Sequence, residues 1–185
     1  MTLQKSITLE EFLAQPETKP YREYLNGEVV EKTMGKRDHS RLQARLARLL
    51  DSWADSPGHG EVLTELRCIL TTPAQRHVQL PDVSWFSRTP KLDDGNALTP
   101  PDLAVEILSP DDRFSRVNLK LRIYLEAGTK EVWLVDPEER TILIRRRAEE
   151  EHLLEAIDES LESPLLPGFS VGLGDLFRVL DTSQT

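Results

Sequence analysis

An acidic residue lies inside an otherwise apolar run, Leu103-Ala104-Val105-Glu106-Ile107-Leu108. The run predicts a buried central strand, which requires a sheet covered by other elements. An unpaired ionised carboxylate in such a strand costs several kcal/mol unless a cation or a proton neutralises it. We therefore expect a positively charged group beside Glu106.

A second acidic residue, Asp82, lies at the start of a predicted strand, and Lys120 lies on the helix that follows the central strand. Asp82 and Glu106 are suited to share a divalent metal ion, with Lys120 as a second positive group near them. Simpler interpretations remain open, because a Pro-Asp pair often just begins a strand and a lysine at a helix edge usually extends to water.

Length and composition narrow the class of protein. The chain has 185 residues and a net charge of -9, with one cysteine, Cys68. This length predicts one compact domain, residues 1–185. No apolar run reaches the roughly 18 residues of a membrane span, and the first residues lack a secretory signal, so we expect a cytoplasmic protein without membrane contact. The charge argues against broad attraction to nucleic acid but allows a local basic face.

The first part of the chain predicts a short helix, a hairpin and a long helix. Thr8 and Glu11 form a capping box for a helix over residues 7–13, and Asn26-Gly27 predicts a turn within residues 24–30. Apolar residues at helical spacing predict the long helix over residues 39–53.

The remainder predicts strands over residues 61–70, 80–86, 103–108, 132–135 and 141–145, with a helix ending at Gly128 before the last two. The apolar stripe of this helix is predicted to begin at Phe114. Residues 72–79 and 91–101 are predicted as loops, and residues 165–179 are apolar enough to pack on the body. The predicted fold is an α/β or α+β core with a mixed sheet flanked by helices.

Three longer blocks resemble a known family: Pro-Asp-Val-Ser-Trp at 81–85, Pro-Asp-Leu-Ala-Val-Glu-Ile-Leu-Ser-Pro at 101–110, and Lys-Leu-Arg-Ile-Tyr-Leu-Glu-Ala-Gly-Thr-Lys-Glu-Val-Trp-Leu-Val-Asp-Pro at 120–137. With Arg22-Glu23-Tyr24-Leu25-Asn26-Gly27-Glu28 and His39, they are similar to the Uma-type restriction endonuclease family of the PD-(D/E)XK nuclease superfamily. Asn26 stands where an aspartate is more usual. The likeness covers nearly the whole chain.

The resemblance implies a restriction endonuclease-like core, about residues 36–147, with Asp82 and Glu106 as ligands of Mg²⁺ or Mn²⁺. It also implies a third ligand, the backbone carbonyl of Ile107. The commonest motif has a lysine two residues after the glutamate, where this chain has Leu108. Lys120 would replace that lysine from the helix.

Further residues are candidates for the same chemistry. Glu23 and Glu65 are possible additional acidic ligands, although hairpin and strand surfaces carry such residues routinely. His39 could contact phosphate or a metal-bound water, and a capping or surface role fits it equally well. Possible DNA-binding residues form a stripe on the long helix: Arg41, Arg45 and Arg48. A solvated helix face is the alternative.

These observations lead to a first hypothesis, a Mg²⁺-dependent DNA endonuclease that forms a homodimer, because cutting both strands needs two centres. The second is an inactive nuclease-fold module that binds DNA or a protein partner, since superfamily members can keep the fold without catalysis. A glycoside hydrolase with Asp82 and Glu106 as its carboxylates ranks last, because it leaves Lys120 unexplained.

Overall fold

The computed structural model describes residues 7–55, 58–147 and 150–181. The helices are α1 (Leu9–Leu13), α2 (Arg37–Ala54), α3 (Phe114–Ala127) and α4 (Leu173–Phe177), the last continued by a 3₁₀ turn (Arg178–Leu180). The strands are β1 (Arg22–Leu25), β2 (Glu28–Glu31), β3 (Glu61–Leu63), β4 (Cys68–Thr71), β5 (Arg76–Gln79), β6 (Val83–Phe86), β7 (Leu92–Asp93), β8 (Asn96–Ala97), β9 (Leu103–Ile107), β10 (Glu131–Asp136), β11 (Thr141–Arg146), β12 (His152–Leu154), β13 (Ser160–Glu162) and β14 (Ser170–Gly172).

Two six-stranded sheets form the body of the fold. The central sheet has the order β12-β11-β10-β9-β6-β3, and the other has the order β2-β1-β5-β4-β8-β7. In the central sheet β9 and β10 are parallel and are connected by α3, whereas β6 lies antiparallel to β9 on its other side. The predicted mixed sheet flanked by helices is therefore confirmed.

The two faces of β9 face different layers because side chains alternate along a strand. Leu103, Val105 and Ile107 belong to a core shared with α2 and the C-terminal elements. Ala104 belongs to a second core shared with α3 and β4. Glu106 is two residues from Ala104, so its carboxylate enters the layer of α3.

The stripe of α2 holds that helix against the central sheet. Leu42, Leu46 and Leu50 are fully buried in the first core. Burial of each contributes about 1.5–3 kcal/mol relative to an exposed side chain. Because this packing fixes the rotation of α2 about its axis, it also determines the direction in which the polar side chains near the N-terminus of the helix point.

Several predicted local features are confirmed. Thr8 Oγ1 accepts the Glu11 amide at 3.1 Å, and the Glu11 carboxylate accepts the Thr8 amide at 2.8 Å. Asn26 and Gly27 both have positive φ in the hairpin turn. The C-terminal segment packs as predicted, with Leu166, Phe169, Leu173, Leu176 and Phe177 in the first core.

The single strand predicted over residues 61–70 is wrong. Glu65 has a φ of 54°, which ends strand geometry there and sends β3 to the central sheet and β4 to the other. The loop predicted over residues 72–79 is also wrong in its second half, because β5 pairs with both β4 and β1.

Two smaller predictions need correction. The predicted loop over residues 91–101 contains the short hairpin of β7 and β8, with Asp94 and Gly95 at positive φ in its turn. Phe114, placed in the apolar stripe of α3, is 76% exposed. It begins the helix, and the buried positions start at Val117.

Among the described residues, no helix combines the length and the apolar character needed to cross a bilayer.

Candidate active site

Asp82 immediately precedes β6 and is buried beside the central strand. Its Oδ2 accepts the backbone amide of Ile107 at 2.7 Å and lies 3.2 Å from His39 Nε2. Its Oδ1 lies 2.7 Å from Lys32 Nζ. Burial would raise the pKa of Asp82, but Lys32 and His39 outweigh it and hold the pKa well below its usual range. Asp82 is therefore ionised at neutral pH.

Glu106 has a partner for each carboxylate oxygen. Lys120 Nζ donates to Oε2 at 2.8 Å, and the Tyr124 hydroxyl donates to Oε1 at 2.8 Å. Lys120 and Tyr124 lie four residues apart on α3, which places both on one face of the helix. Burial raises the pKa of Glu106 to about 7 even though Lys120 opposes the shift.

Lys120 joins two acidic residues from different sheets. Its Nζ lies 3.0 Å from Glu23 Oε1, and that oxygen also accepts the Leu80 amide at 3.1 Å. Burial would lower the pKa of Lys120, but Glu106 and Glu23 hold it above its ordinary value. Lys120 is consequently a fixed cation and hydrogen-bond donor, not a base.

Lys32, which the sequence analysis missed, lies at the centre of this cluster of charged residues. Its ammonium donates to Glu65 Oε2 at 2.8 Å and to the Leu80 carbonyl at 2.7 Å, in addition to the Asp82 contact. Burial would lower the pKa of Lys32, but the carboxylates, Asp82 foremost, raise it above its ordinary value. Nothing in the local sequence marks Lys32, because it follows β2 in a segment without periodicity.

Gln43 is the second residue that the sequence analysis missed. Its Nε2 donates to Glu65 Oε1 at 2.9 Å and to the Asp82 carbonyl at 3.0 Å. A signal was present, since Gln43 lies four residues after His39 and so shares its face of α2. Tyr124, which was not among the candidates, is the third.

The structure brings six predicted site residues into one cluster: Glu23, His39, Glu65, Asp82, Glu106 and Lys120. Ile107 is also present, where its amide contacts Asp82. The predicted arginines lie elsewhere, along a surface groove that Arg178 of the C-terminal segment also lines: Arg41, Arg45 and Arg48.

The charges of the cluster do not balance. Four carboxylates, those of Glu23, Glu65, Asp82 and Glu106, face two ammonium groups, those of Lys32 and Lys120. When all four are ionised and His39 is neutral, the formal charge is -2, which a divalent cation would offset. Protonation reduces this charge, because burial raises the pKa of Glu106 to about 7. Burial would lower the pKa of His39, but Asp82 raises it above its ordinary value.

The donor set suits a hard divalent ion. Asp82, Glu106 and Ile107 line one small cavity of about 30 Å³, and Asp82 Oδ1 is buried against the Lys32 ammonium. Across the described residues, no group of three or more histidine, cysteine, aspartate or glutamate side chains is arranged to hold a metal. Carboxylate oxygens are the ligands that hard divalent ions such as Mg²⁺ prefer, and Mg²⁺ usually keeps several waters.

The fold belongs to a nuclease-like class. The structure aligns with the crystal structure of a "putative nuclease belonging to DUF820" from Anabaena variabilis, with a TM-score of 0.85 and 32% sequence identity. The alignment covers 94% of this chain and 99% of the other.

Residues 9–178 match the Uma2 family, described as "Putative restriction endonuclease". The chain belongs to this family, which confirms the resemblance found in the sequence. The cryo-EM structure of a DrdV–DNA complex aligns with a TM-score of 0.39 and 18% identity over 77% of this chain and 76% of the other, too distant to support an argument. No curated protein sequence matches the chain.

Proposed function

We propose that the protein is a divalent metal-dependent endonuclease that hydrolyses phosphodiester bonds of DNA. Asp82, Glu106 and the Ile107 carbonyl hold the metal, and Lys120 is the catalytic lysine. The observation that carries the proposal is the buried 2.8 Å contact of Lys120 Nζ with Glu106 Oε2. It provides a lysine beside the strand glutamate although Leu108 occupies the usual lysine position.

The buried residues supply complementary parts of the chemistry. A bound Mg²⁺ or Mn²⁺ would polarise the phosphate and offset the negative charge of the transition state. Lys120 remains protonated, so it orients the attacking water or stabilises charge on a phosphate oxygen. The water oxygen forms a bond to phosphorus as one P–O ester bond breaks. The proton that the water loses passes to solvent, and the leaving oxygen takes a proton from solvent.

Contacts to the DNA backbone are proposed for the arginine groove. Arg41, Arg45 and Arg48 line a surface groove of about 530 Å³ with Arg178, whereas Asp175 is its acidic residue and pairs with Arg178 at 2.9 Å. Clustered guanidinium groups bind phosphates despite an acidic chain as a whole. Cleavage of both strands would require two such chains, which favours a homodimer.

Cleavage of supercoiled plasmid and single-stranded DNA in Mg²⁺ and in Mn²⁺ tests the proposal. We expect metal-dependent cutting by the wild type and a loss of at least about a hundredfold in Asp82→Asn, Glu106→Gln and Lys120→Met, by analogy with removal of a transition-state donor. Glu28→Gln, on the exposed face of the hairpin, is the matched control. Equal cutting by Glu106→Gln and the wild type would contradict the assignment.

A module that binds DNA or a protein without cutting it is the second candidate. Its specific support is that Lys32 and Lys120 already neutralise part of the carboxylate charge without a metal ion. Saturable DNA binding in EDTA, with no product from the wild type in either metal, would favour this function.

A further inference from the structure

The ammonium group of Lys32 occupies the side of Asp82 on which a cation would bind. It has three oxygen neighbours, Asp82 Oδ1 at 2.7 Å, Glu65 Oε2 at 2.8 Å and the Leu80 carbonyl at 2.7 Å. A protonated lysine has three hydrogens to donate. The side chain of Lys32 is only 11% exposed, so this is a built position and not a surface contact.

The other oxygen of Asp82 is already used. Oδ2 accepts the Ile107 amide at 2.7 Å and faces His39. Mg²⁺ binds a carboxylate oxygen at about 2.0–2.1 Å, and Oδ1 is the less engaged oxygen of Asp82. An ion on Oδ1 would lie against the Lys32 ammonium, and two cations at such a distance repel strongly in a buried site.

The hairpin holds the backbone of Lys32, whereas the side chain has hydrogen-bond acceptors other than Asp82. The Lys32 amide donates to the Tyr21 carbonyl at 2.7 Å, which holds the end of β2 in place. If Nζ moves away from Asp82, Glu65 and the Leu80 carbonyl remain as acceptors. A displacement that keeps both of these acceptors would break one contact of three.

We propose that Lys32 is an internal counter-cation of the metal site, and that a divalent ion must displace its ammonium from Asp82 in order to bind. The inference rests on the proposed function and extends it to the order of events at the site. When no metal is bound, Lys32 neutralises the charge of Asp82. A monovalent cation is attracted to the site too weakly to displace the Lys32 ammonium.

Titration with Mn²⁺, followed by calorimetry or by the electron paramagnetic resonance of the free ion, tests this proposal. Lys32→Met removes the charge and keeps an unbranched side chain. We expect it to bind Mn²⁺ about tenfold more tightly, because apparent affinity is reduced by the fraction of molecules in which the site is open. Lys36→Met is the control, since Lys36 makes only an exposed 3.2 Å pair with Asp111.

Thermal unfolding with and without Mn²⁺ gives a second readout that also reports folding. Lys32→Met and Lys32→Gln should show a larger Mn²⁺-induced rise in Tm than the wild type, since the rise follows the affinity. Unchanged or weaker Mn²⁺ binding by folded Lys32→Met would overturn the proposal.

The outcomes separate this inference from the proposed function. If the wild type cuts DNA with Mn²⁺ but Lys32→Met binds the ion no more tightly, the counter-cation role is wrong and the nuclease stands. If Lys32→Met binds more tightly and the wild type cuts nothing, the counter-cation role stands and the nuclease fails.

Discussion

Two lysines make the buried carboxylates of this protein tolerable. Asp82 pairs with Lys32, and Glu106 pairs with Lys120. Each carboxylate also accepts a hydrogen bond from a neutral donor, the Ile107 amide for Asp82 and the Tyr124 hydroxyl for Glu106. Buried ion pairs are stable only when the remaining lone pairs are also satisfied. The neutral donors therefore belong to the site as much as the charges do.

Tyr124→Phe tests the importance of these neutral donors. The substitution keeps the ring in the core but leaves Glu106 Oε1 without its 2.8 Å donor. We expect the free energy of unfolding in urea to fall by about 1–3 kcal/mol, the usual cost of an unmet buried acceptor. Tyr21→Phe, on a partly exposed ring, should change it little, and an equal effect of both variants would contradict the role of the Tyr124 hydroxyl.

The sequence predicted the residues whose local context was unusual. Glu106 was evident because a carboxylate interrupts an apolar strand, Asp82 and Lys120 were candidates from their positions, and the family resemblance implied their roles. Lys32 carried no such signal, since its environment is created by Glu65 and Asp82, which the chain reaches much later. Sequence patterns report local chemistry, whereas a charge compensated across two sheets is a property of the fold.

At the scale of elements, the ends of three strands converge on Asp102. Its Oδ2 accepts the Ser87 amide at 2.8 Å after β6, its Oδ1 lies 2.7 Å from Lys130 Nζ, and its carbonyl accepts the Lys130 amide at 3.0 Å before β10. Asp102 itself precedes β9. The contacts of Asp102 thus hold the end of β6 and the beginnings of β9 and β10 next to one another.

Asp102→Asn should therefore have an effect on stability that depends on pH. Burial would raise the pKa of Asp102, but hydrogen bonds from Lys130 and Ser87 hold it below its ordinary value. A depressed pKa stabilises the fold above the unfolded value, about 3.9, and this contribution disappears as the pH falls through the folded value. We expect Asp102→Asn to cost about 1 kcal/mol at pH 7 and progressively less below about pH 4.

Urea unfolding of both proteins at pH 7 and pH 3 measures this difference. Asp93→Asn, on the exposed hairpin, provides the comparison and should show no such trend. A cost for Asp102→Asn that is equal at both pH values would show that its charge is not involved.

The helices were predicted better than the strands for a physical reason. The capping box of α1 and the stripe of α2 are local patterns, and both helices formed as expected. The strand over residues 61–70 depends on which sheet each half joins, and β3 pairs with β6 whereas β4 pairs with β5 and β8. Such pairings are set by distant parts of the chain.

At the scale of the whole molecule, charge is distributed unevenly. The chain has a net charge of -9, yet one groove gathers Arg41, Arg45, Arg48 and Arg178 on adjacent elements. Overall charge governs long-range attraction, but phosphate binding depends on the local arrangement of guanidinium groups. The groove is consequently the surface on which we expect the DNA backbone.

Replacement of Arg41, Arg45 and Arg48 by serine tests this assignment. We expect weaker binding of duplex DNA and a salt dependence of log Kd that is shallower by about 0.9 for each phosphate that the variant no longer neutralises. Fluorescence anisotropy over a range of salt concentrations measures both quantities. A triple variant of Arg76, Arg88 and Arg140 removes the same charge elsewhere, and an equal weakening in that variant would indicate a general charge effect.

The most direct test of the metal site is an anomalous difference map from crystals soaked in Mn²⁺. We predict a peak bound by oxygens of Asp82 and Glu106 and by the Ile107 carbonyl, at about the 2.0–2.1 Å expected for a hard divalent ion of this kind. Absence of a peak there, or a peak at another group of carboxylates, would contradict the assignment of this cluster as the active site.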